Sequence, residues 1–475
     1  MMVLSRSSSM VFLILLGAAL GVSVVALDSL SISTTDFLVV CLVAGLCVPT
    51  FVSLLLFRRI DIFWPPMLFS LIIFIGHVLP LPGFLQGEDV VSRSWPYTFL
   101  SFESSLNQAL LLAITGVVGF QSGFVLLPVA PALRRSFDIE FRSRRLWSVG
   151  FAYTLAGLGL FALGVALIGG PSALIAGLSD RIRAFAGLNY LFMATLLLPA
   201  VALVWWMYLL QRRRLLDWRF WLYAVFAFML SGLTGSRANA FIAILAGAVL
   251  YHLLYRPIPF PTVVLLISIG SVGLVLFQLV FREYLILGDI VSLGQNPSLT
   301  DFGDRLFRSL GGDFYQIQAL TIVVDAVPRV IPFQNGFTYL FLFVAPIPSS
   351  LWPGKLQFLP APGIFTLGLW PEHWYQDGIT IPPSLMGEMY LNFGAIGVLL
   401  GMIGFGALYK FAYSRARRQH SPAVLLYSFL LATMTHYIRG DFPDATVLFL
   451  IVSLPTYFAF KWVTKRRAYS GAKVG

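Results

Sequence analysis

Residues 234–241 read TGSRANAF and form a tight joint between two apolar runs. Ser236 is placed to cap the helix that follows. A helix N-terminus presents free N–H groups and partial positive charge, so it suits an anion. Arg237 adds a planar fork of donors that matches phosphate oxygens. The competing reading is an interfacial arginine whose head group snorkels to water. A second dense joint, HYIRGDFPD at 436–444, brings together His436, Arg439, Asp441 and Asp444. Four ionisable groups in one short joint of so apolar a chain are candidates for proton transfer and anion binding. The plainer reading is an Arg439–Asp441 pair that only satisfies itself.

Between these joints lie two proline-rich blocks. PIPSSLWPGK at 346–355 is a stiff turn ending on Lys355. It either aims Trp352 and Lys355 at a sugar or head group, or is an interfacial Trp/Pro turn. PPSLMGE at 382–388 leads into an apolar run and puts Glu388 just inside a helix start. A carboxylate there complements the helix dipole; partly desolvated, it could also accept a proton from a sugar hydroxyl. Further cations are Arg282, at the end of an apolar run, and Arg305 and Arg308 on one helix face; His373 in PEHWY is a loop base.

Several chemistries have no footing. No His/Cys/Asp cluster has metal-site spacing, no GxxxxGK[ST] is present, and no Ser/His/Asp constellation can be assembled. Cys41 and Cys47 share one apolar run without a CxxC pattern and read as small apolar helix residues. No metal and no cofactor is expected.

The elements that hold these residues are membrane helices. The chain is 58% hydrophobic and 11% charged, with mean hydropathy +0.85, well outside the range of soluble domains. Twelve apolar runs recur, near 9–27, 37–57, 63–86, 107–130, 147–169, 189–211, 220–235, 238–255, 261–281, 390–410, 423–438 and 445–463. Most match the length that crosses a bilayer as a helix; those at 220–235 and 423–438 are short. The expected fold is an all-α polytopic membrane protein of about twelve spans. It has three parts: helices over 1–281, a large outer loop over 282–389, and helices with a basic tail over 390–475. VVALDS at 24–29 resembles a signal-peptide cleavage site, but a retained first helix fits the topology better.

The net charge of +11 is unevenly spread. If the joints alternate across the membrane from an inside N-terminus, Arg and Lys concentrate on one side: Arg6, Arg58 and Arg59, 134–145, 212–219, Arg256, 410–418 and 461–473. The joints on the other side are net negative. Lys/Arg-rich short joints stay cytoplasmic, so both termini are expected inside and the long loop outside. This distribution gives no nucleic-acid signal. The loop is rich in Pro, Trp and Phe, unlike a flexible linker. Within it, Ile317, Leu320, Val324 and Val327 have the spacing of a helix lying on the membrane or on the bundle. GFTYLFLFVAPIP at 336–348 is too short to span and reads as a re-entrant piece.

At these residues the chain resembles the bacterial oligosaccharide repeat-unit polymerases, the Wzy-type enzymes of O-antigen, enterobacterial common antigen and exopolysaccharide assembly. The matching positions are Gly235 to Asn239, Ile347 to Lys355, Pro383 to Gly387, and Arg439 shortly before Asp441, in the same order. The resemblance covers roughly 220–450, and the first half only in hydropathy. Lys355 stands where an Arg is also expected, and Glu388 is not expected throughout the family.

The resemblance implies a glycosyltransferase C-like architecture in the inner membrane. It implies undecaprenyl-pyrophosphate-linked oligosaccharides as donor and acceptor, joined at the outer face, with a chain-length regulator as a further partner. On this reading Arg237, Arg282, Lys355 and Arg439 bind pyrophosphate. Glu388, Asp441 and His436 are the candidate bases, and Trp352 and His373 face sugar. An O-antigen ligase shares this logic with a different acceptor. A flippase is the alternative from another class, and predicts balanced halves that this chain lacks.

Overall fold

The computed structural model describes residues 33–86, 96–126, 139–177, 185, 187–233, 237–263, 265–266, 315–347, 352, 354, 358–377, 380–417 and 421–466. In chain order the helices are α1 (Thr34–Phe57), α2 (Pro65–Ile73), α3 (Phe102–Leu126), α4 (Ser143–Leu167), α5 (Leu197–Arg212), α6 (Trp218–Leu233) and α7 (Arg237–Leu254). They continue with α8 (Gln316–Ala326), α9 (Ala361–Leu369), α10 (Leu385–Arg417), α11 (Ser421–Ala432), α12 (Met434–Arg439) and α13 (Phe442–Val463). Shorter helical turns join several of them. Among the described residues the only strands are β1 (Ile139–Phe141) and β2 (Thr464–Arg466), paired antiparallel.

Among the described residues, seven helical stretches are long and apolar enough to cross a bilayer: Thr34–Phe57, Pro65–Leu85, Phe102–Leu126, Ser143–Leu167, Tyr190–Arg212, Leu385–Arg417 and Phe442–Val463. Trp218–Ser231 and Phe241–Leu254 are shorter apolar helices. The chain is an all-α polytopic membrane protein. The expected run at 9–27 and most of that at 261–281 lie outside the described residues; the other runs each carry helix. The run at 423–438 is divided at Thr433 into α11 and α12.

The chain divides into two compact units. The first comprises 1–129, 259–410 and 434–447; the second comprises 130–258, 411–433 and 448–475. In the first, α1 is capped by Ser33, whose Oγ accepts from Asp36 N–H at 3.1 Å. α2 opens on Pro65 and Pro66, which need no intrahelical N–H partner there. It continues through a π turn at Phe74–Val78. α3 and α10 approach so closely that a Cβ at Gly123 would overlap the Ile403 carbonyl, and one at Gly406 the Phe120 carbonyl. Small residues that admit close backbone contact are the usual means of packing membrane helices.

α8 departs from the expected one-sided helix. Ile317, Leu320 and Val324 are buried, but so are Gln318 and Thr321, so it is enclosed on all sides. Gln316 lies against Gly76 of the π turn, where a Cβ would overlap its amide. Ile322, Val323 and Val327 join Phe365, Trp370, Ile381 and Leu391 in one apolar cluster that ties α8, α9 and the start of α10 together.

Asp325 of α8 fixes the neighbouring strand of chain at 96–100. It accepts from Tyr97 Oη–H at 2.6 Å, Ser105 Oγ–H at 2.8 Å, Leu100 N–H at 3.3 Å and the Arg329 guanidinium. Burial pushes this carboxyl up, but the donated hydrogen bonds outweigh it, and the net effect lies below the ordinary carboxylate range. Burial, then the hydrogen bond to Asp325 and its charge, push the Tyr97 phenol up against the opposing Arg329 guanidinium.

The second unit holds α4 to α7, α11 and the end of α13. Leu198, Ala227 and Leu230 form its small central cluster. Trp206 stacks on Phe220 at 5.2 Å, and its Nε1–H reaches the Gly247 carbonyl at 3.1 Å.

Candidate active site

α10 is preceded by Ser384, whose φ is +71°, an uncommon value for a residue with a side chain. Its Oγ accepts from Gly387 N–H at 3.2 Å and so caps the first turn. Nine residues after Ser384, the helix breaks at Phe393 (φ −137°, ψ 15°) and Gly394 (φ 64°, ψ −156°). The second conformation is essentially confined to glycine. The break exposes carbonyls at the end of the first half-helix, and the loop before residue 337 satisfies them. Gln334 N–H donates to the Leu391 carbonyl at 3.0 Å and Asn335 N–H to that of Asn392 at 3.2 Å.

Glu388 lies in this half-helix and is fully buried. Its Oε1 accepts from Thr338 Oγ1–H at 2.8 Å. Its Oε2 accepts from Phe442 N–H at 2.6 Å. Asn392, one turn on, donates Nδ2–H to Thr338 Oγ1 at 2.8 Å and to the Glu388 carbonyl at 2.9 Å. Its Oδ1 accepts from Gly336 N–H at 2.9 Å. Both Glu388 oxygens therefore receive a donor.

Asp441 precedes α13 and is 1% exposed. Its Oδ1 caps α13 by accepting from Asp444 N–H at 3.2 Å. Its Oδ2 is buried with no hydrogen-bond partner, the costly state for a buried acceptor. Burial, then the charges of Asp444 and Glu388, push the Asp441 carboxyl well above its ordinary range. Tyr339 stands beside both carboxylates. Its ring stacks on Phe393 at 6.3 Å and meets Phe442 edge-on at 6.0 Å. Burial, then Glu388 and Asp441, push its phenol far up.

The structure thus brings Glu388 and Asp441 together, with the half-buried His436 and Arg439 on the adjoining α12. The His436 carbonyl accepts from Gly440 N–H at 2.8 Å, which closes α12 one residue before Asp441. Trp352 is 36% exposed and packs on Phe358 at 5.6 Å. His373 is half-buried on a π turn at His373–Asp377. Arg237 opens α7 in the second unit; its side chain lies outside the described residues, as do Arg282, Arg305, Arg308 and Lys355.

Thr338, Tyr339 and Asn392 are members of the site that the charge pattern of the sequence does not mark. A signal for Asn392 existed: a polar amide four residues after Glu388 shares its helix face.

No curated protein and no solved structure matches the chain. Residues 372–451 match the family described as putative O-antigen polymerase, so the stretch holding His373, Glu388, Asn392, His436, Arg439 and Asp441 carries the likeness to the O-antigen polymerases.

Proposed function

We propose that the protein polymerises undecaprenyl-pyrophosphate-linked oligosaccharide repeat units at the outer face of the bacterial inner membrane. The carrying observation is the buried Glu388–Asp441 pair inside the matched segment, with Asp441 Oδ2 left as an acceptor without a donor. The growing chain is transferred from its lipid pyrophosphate to the incoming lipid-linked unit. The acceptor hydroxyl oxygen attacks the anomeric carbon, the bond to the pyrophosphate oxygen breaks, and the electron pair leaves with the pyrophosphate. The hydroxyl proton passes to Asp441 Oδ2.

A base works best when its proton affinity approaches the operating pH, and burial with the charges of Asp444 and Glu388 moves the Asp441 carboxyl up, in that direction. Glu388, with both oxygens engaged, holds the site rather than taking the proton. Negative charge develops on the leaving pyrophosphate, which calls for cations aimed at it. Arg237 is the first candidate, with Arg282, Lys355 and Arg439 supporting; Trp352 and His373 are candidates for sugar contact. The charge asymmetry of the joints supports cytoplasmic termini and a periplasmic loop over 282–389.

The test is deletion of the gene followed by sizing of lipid-linked glycans. A single capped repeat unit is the expected product. Long chains retained on undecaprenyl pyrophosphate would indicate a ligase, and units trapped on the inner leaflet a flippase.

A further inference from the structure

We infer that Thr338 and Asn392 are positioning residues that act through Glu388, forming a directed hydrogen-bond relay that sets the carboxylate against the start of α13 and so places Asp441. This rests on the polymerase reading and deepens it.

The direction of the relay follows from the donors available. An amide Nδ2 can only donate, so Asn392 gives to Thr338 Oγ1 at 2.8 Å. The hydroxyl has one hydrogen, and it is directed to Glu388 Oε1 at 2.8 Å. Asn392 is itself oriented, because its Oδ1 takes Gly336 N–H at 2.9 Å. That leaves Glu388 Oε2 for Phe442 N–H at 2.6 Å. Phe442 is the residue after Asp441, so the relay reaches the backbone that carries the proposed base. Thr338, Glu388 and Asn392 are all fully buried. In such surroundings a satisfied chain of hydrogen bonds rigidifies a site and a broken one is expensive. The relay also crosses the helix break: Asn392 immediately precedes the non-helical Phe393 and Gly394. The half-helix, the loop at 334–338 and the start of α13 are thereby fixed as one piece.

The ionisable groups around the pair include Asp444 on α13, His436, Tyr437 and Arg439 on α12, and Tyr339 beside Thr338. α2, packed on α12, contributes none. α8, whose Val323 lies near Gly387, carries Asp325, which is committed to Tyr97, Ser105 and Arg329. α3, whose Gly116 meets Met386, has only Glu103 in its first turn.

The experiment uses the full chain in membranes, with lipid-linked repeat units as donor and acceptor. Thr338→Val keeps the shape and removes the hydroxyl. It is expected to lower kcat by roughly 10-fold to 100-fold, the effect of one hydrogen bond to a charged group, with KM little changed. Glu388 is then held less firmly against the Phe442 N–H, which weakens its influence on Asp441, whose carboxyl it raises. The acid limb of the pH–rate profile therefore moves to lower pH.

Thr338→Ser restores both kcat and the profile. In a Glu388→Gln background, Thr338→Val has little further effect, since a residue acting through Glu388 has nothing left to act on. Wild-type kcat and profile in Thr338→Val would overturn the inference, as would a Thr338→Ser enzyme as impaired as the valine variant. If Thr338→Val fails to accumulate, Asn392→Ala takes its place, with a smaller loss of kcat in the same direction; unchanged kinetics would overturn the relay. A wild-type enzyme that makes no polymer from these units would instead sink the polymerase reading.

Discussion

Glu388 and Phe442 are 54 positions apart, yet Glu388 Oε2 accepts the Phe442 N–H at 2.6 Å. One free N–H at the start of α13 is thus satisfied by a carboxylate from a different helix, a charge-assisted bond at the end of a helix dipole that favours an anion. The contact brings two buried carboxylates into one joint. Like charges that close cannot both ionise freely, and the two are unequally served. Glu388 has a donor on each oxygen, whereas Asp441 has one bare oxygen.

Asp441→Asn is expected to abolish chain extension while raising thermal stability. The folded-state carboxyl is raised, so its favourable contribution is full below the unfolded value and is lost as pH rises through the folded value. Above the unfolded value the carboxyl is therefore a liability that the neutral amide removes, while the amide Oδ1 still caps Asp444. Polymer sizing should show a loss of about 100-fold or more. Unfolding of the detergent-purified protein at pH 7 should occur at higher temperature than for wild type. An active asparagine variant would remove Asp441 as the base.

With Asp441 as the proposed base, the same carboxyl would set the pH dependence of the reaction. The base must be ionised, so chain extension should rise with pH through an acid limb displaced above the ordinary carboxylate range of about 4. Rates measured from pH 4 to 8 in membranes check this. A flat profile down to pH 4 would exclude a raised carboxyl as the base.

Asp325 predicts the opposite sign. Its carboxyl is lowered in the folded state, so its contribution is full above the unfolded value, about 4, and is lost as pH falls through the folded value. Asp325→Asn should destabilise the protein at pH 7, and the difference from wild type should shrink below pH 4 as wild type loses the same interaction. Thermal unfolding across that range is the measurement. Arg329→Ala should have a much smaller effect, because the arginine is 42% exposed and exposed ion pairs contribute little.

Which parts of this site were legible in advance follows from how rare charge is in such a chain. Glu388, His436, Arg439 and Asp441 stand out among apolar residues, and an ionisable group there invites a functional reading. Thr338 does not, and Asn392 does so only by its place four residues after Glu388 on the same helix face. Uncharged polar residues in apolar helices commonly bond their own backbone, as Thr433 does to the Phe429 carbonyl, and nothing local separates the two cases. The break at Phe393 and Gly394 was equally hidden, since the apolar pattern runs through it without interruption. α8 shows the limit of periodicity: Ile317, Leu320 and Val324 mark one face, but burial of Gln318 and Thr321 depends on partners remote in sequence. The charge of Arg237 was conspicuous, but its role rests on residue chemistry alone.

The close approach of α3 and α10 gives a stability prediction independent of the chemistry. A Cβ at Gly123 would meet the backbone of Ile403 rather than a movable side chain, and one at Gly406 would meet the backbone of Phe120. Backbone cannot step aside without moving a helix, so even alanine at either position forces the helices apart. Overpacking of this kind costs about 1–3 kcal/mol. Gly123→Ala and Gly406→Ala should each reduce the folded protein recovered from membranes and lower its unfolding temperature. Gly404, where a Cβ meets nothing within 4 Å, is the control on the same helix. There alanine removes the flexibility of glycine without a clash, and stability should stay level or rise slightly. Equal tolerance at all three positions would mean that α3 and α10 are not in backbone contact.

Arg237→Ala tests the remaining piece of the proposed chemistry. The residue opens α7, where a helix N-terminus and a guanidinium together suit a pyrophosphate. An arginine that only snorkels to water is replaceable by lysine or glutamine with little consequence. One that stabilises the charge developing on a leaving group is not, because the planar fork is lost even in lysine. Arg237→Ala should leave single repeat units capped and no longer polymer, with normal amounts of protein in the membrane. Arg237→Lys should recover only part of the activity. Normal-length polymer from the alanine variant would remove Arg237 from the reaction and leave the leaving-group role to Arg282, Lys355 or Arg439, each open to the same substitution.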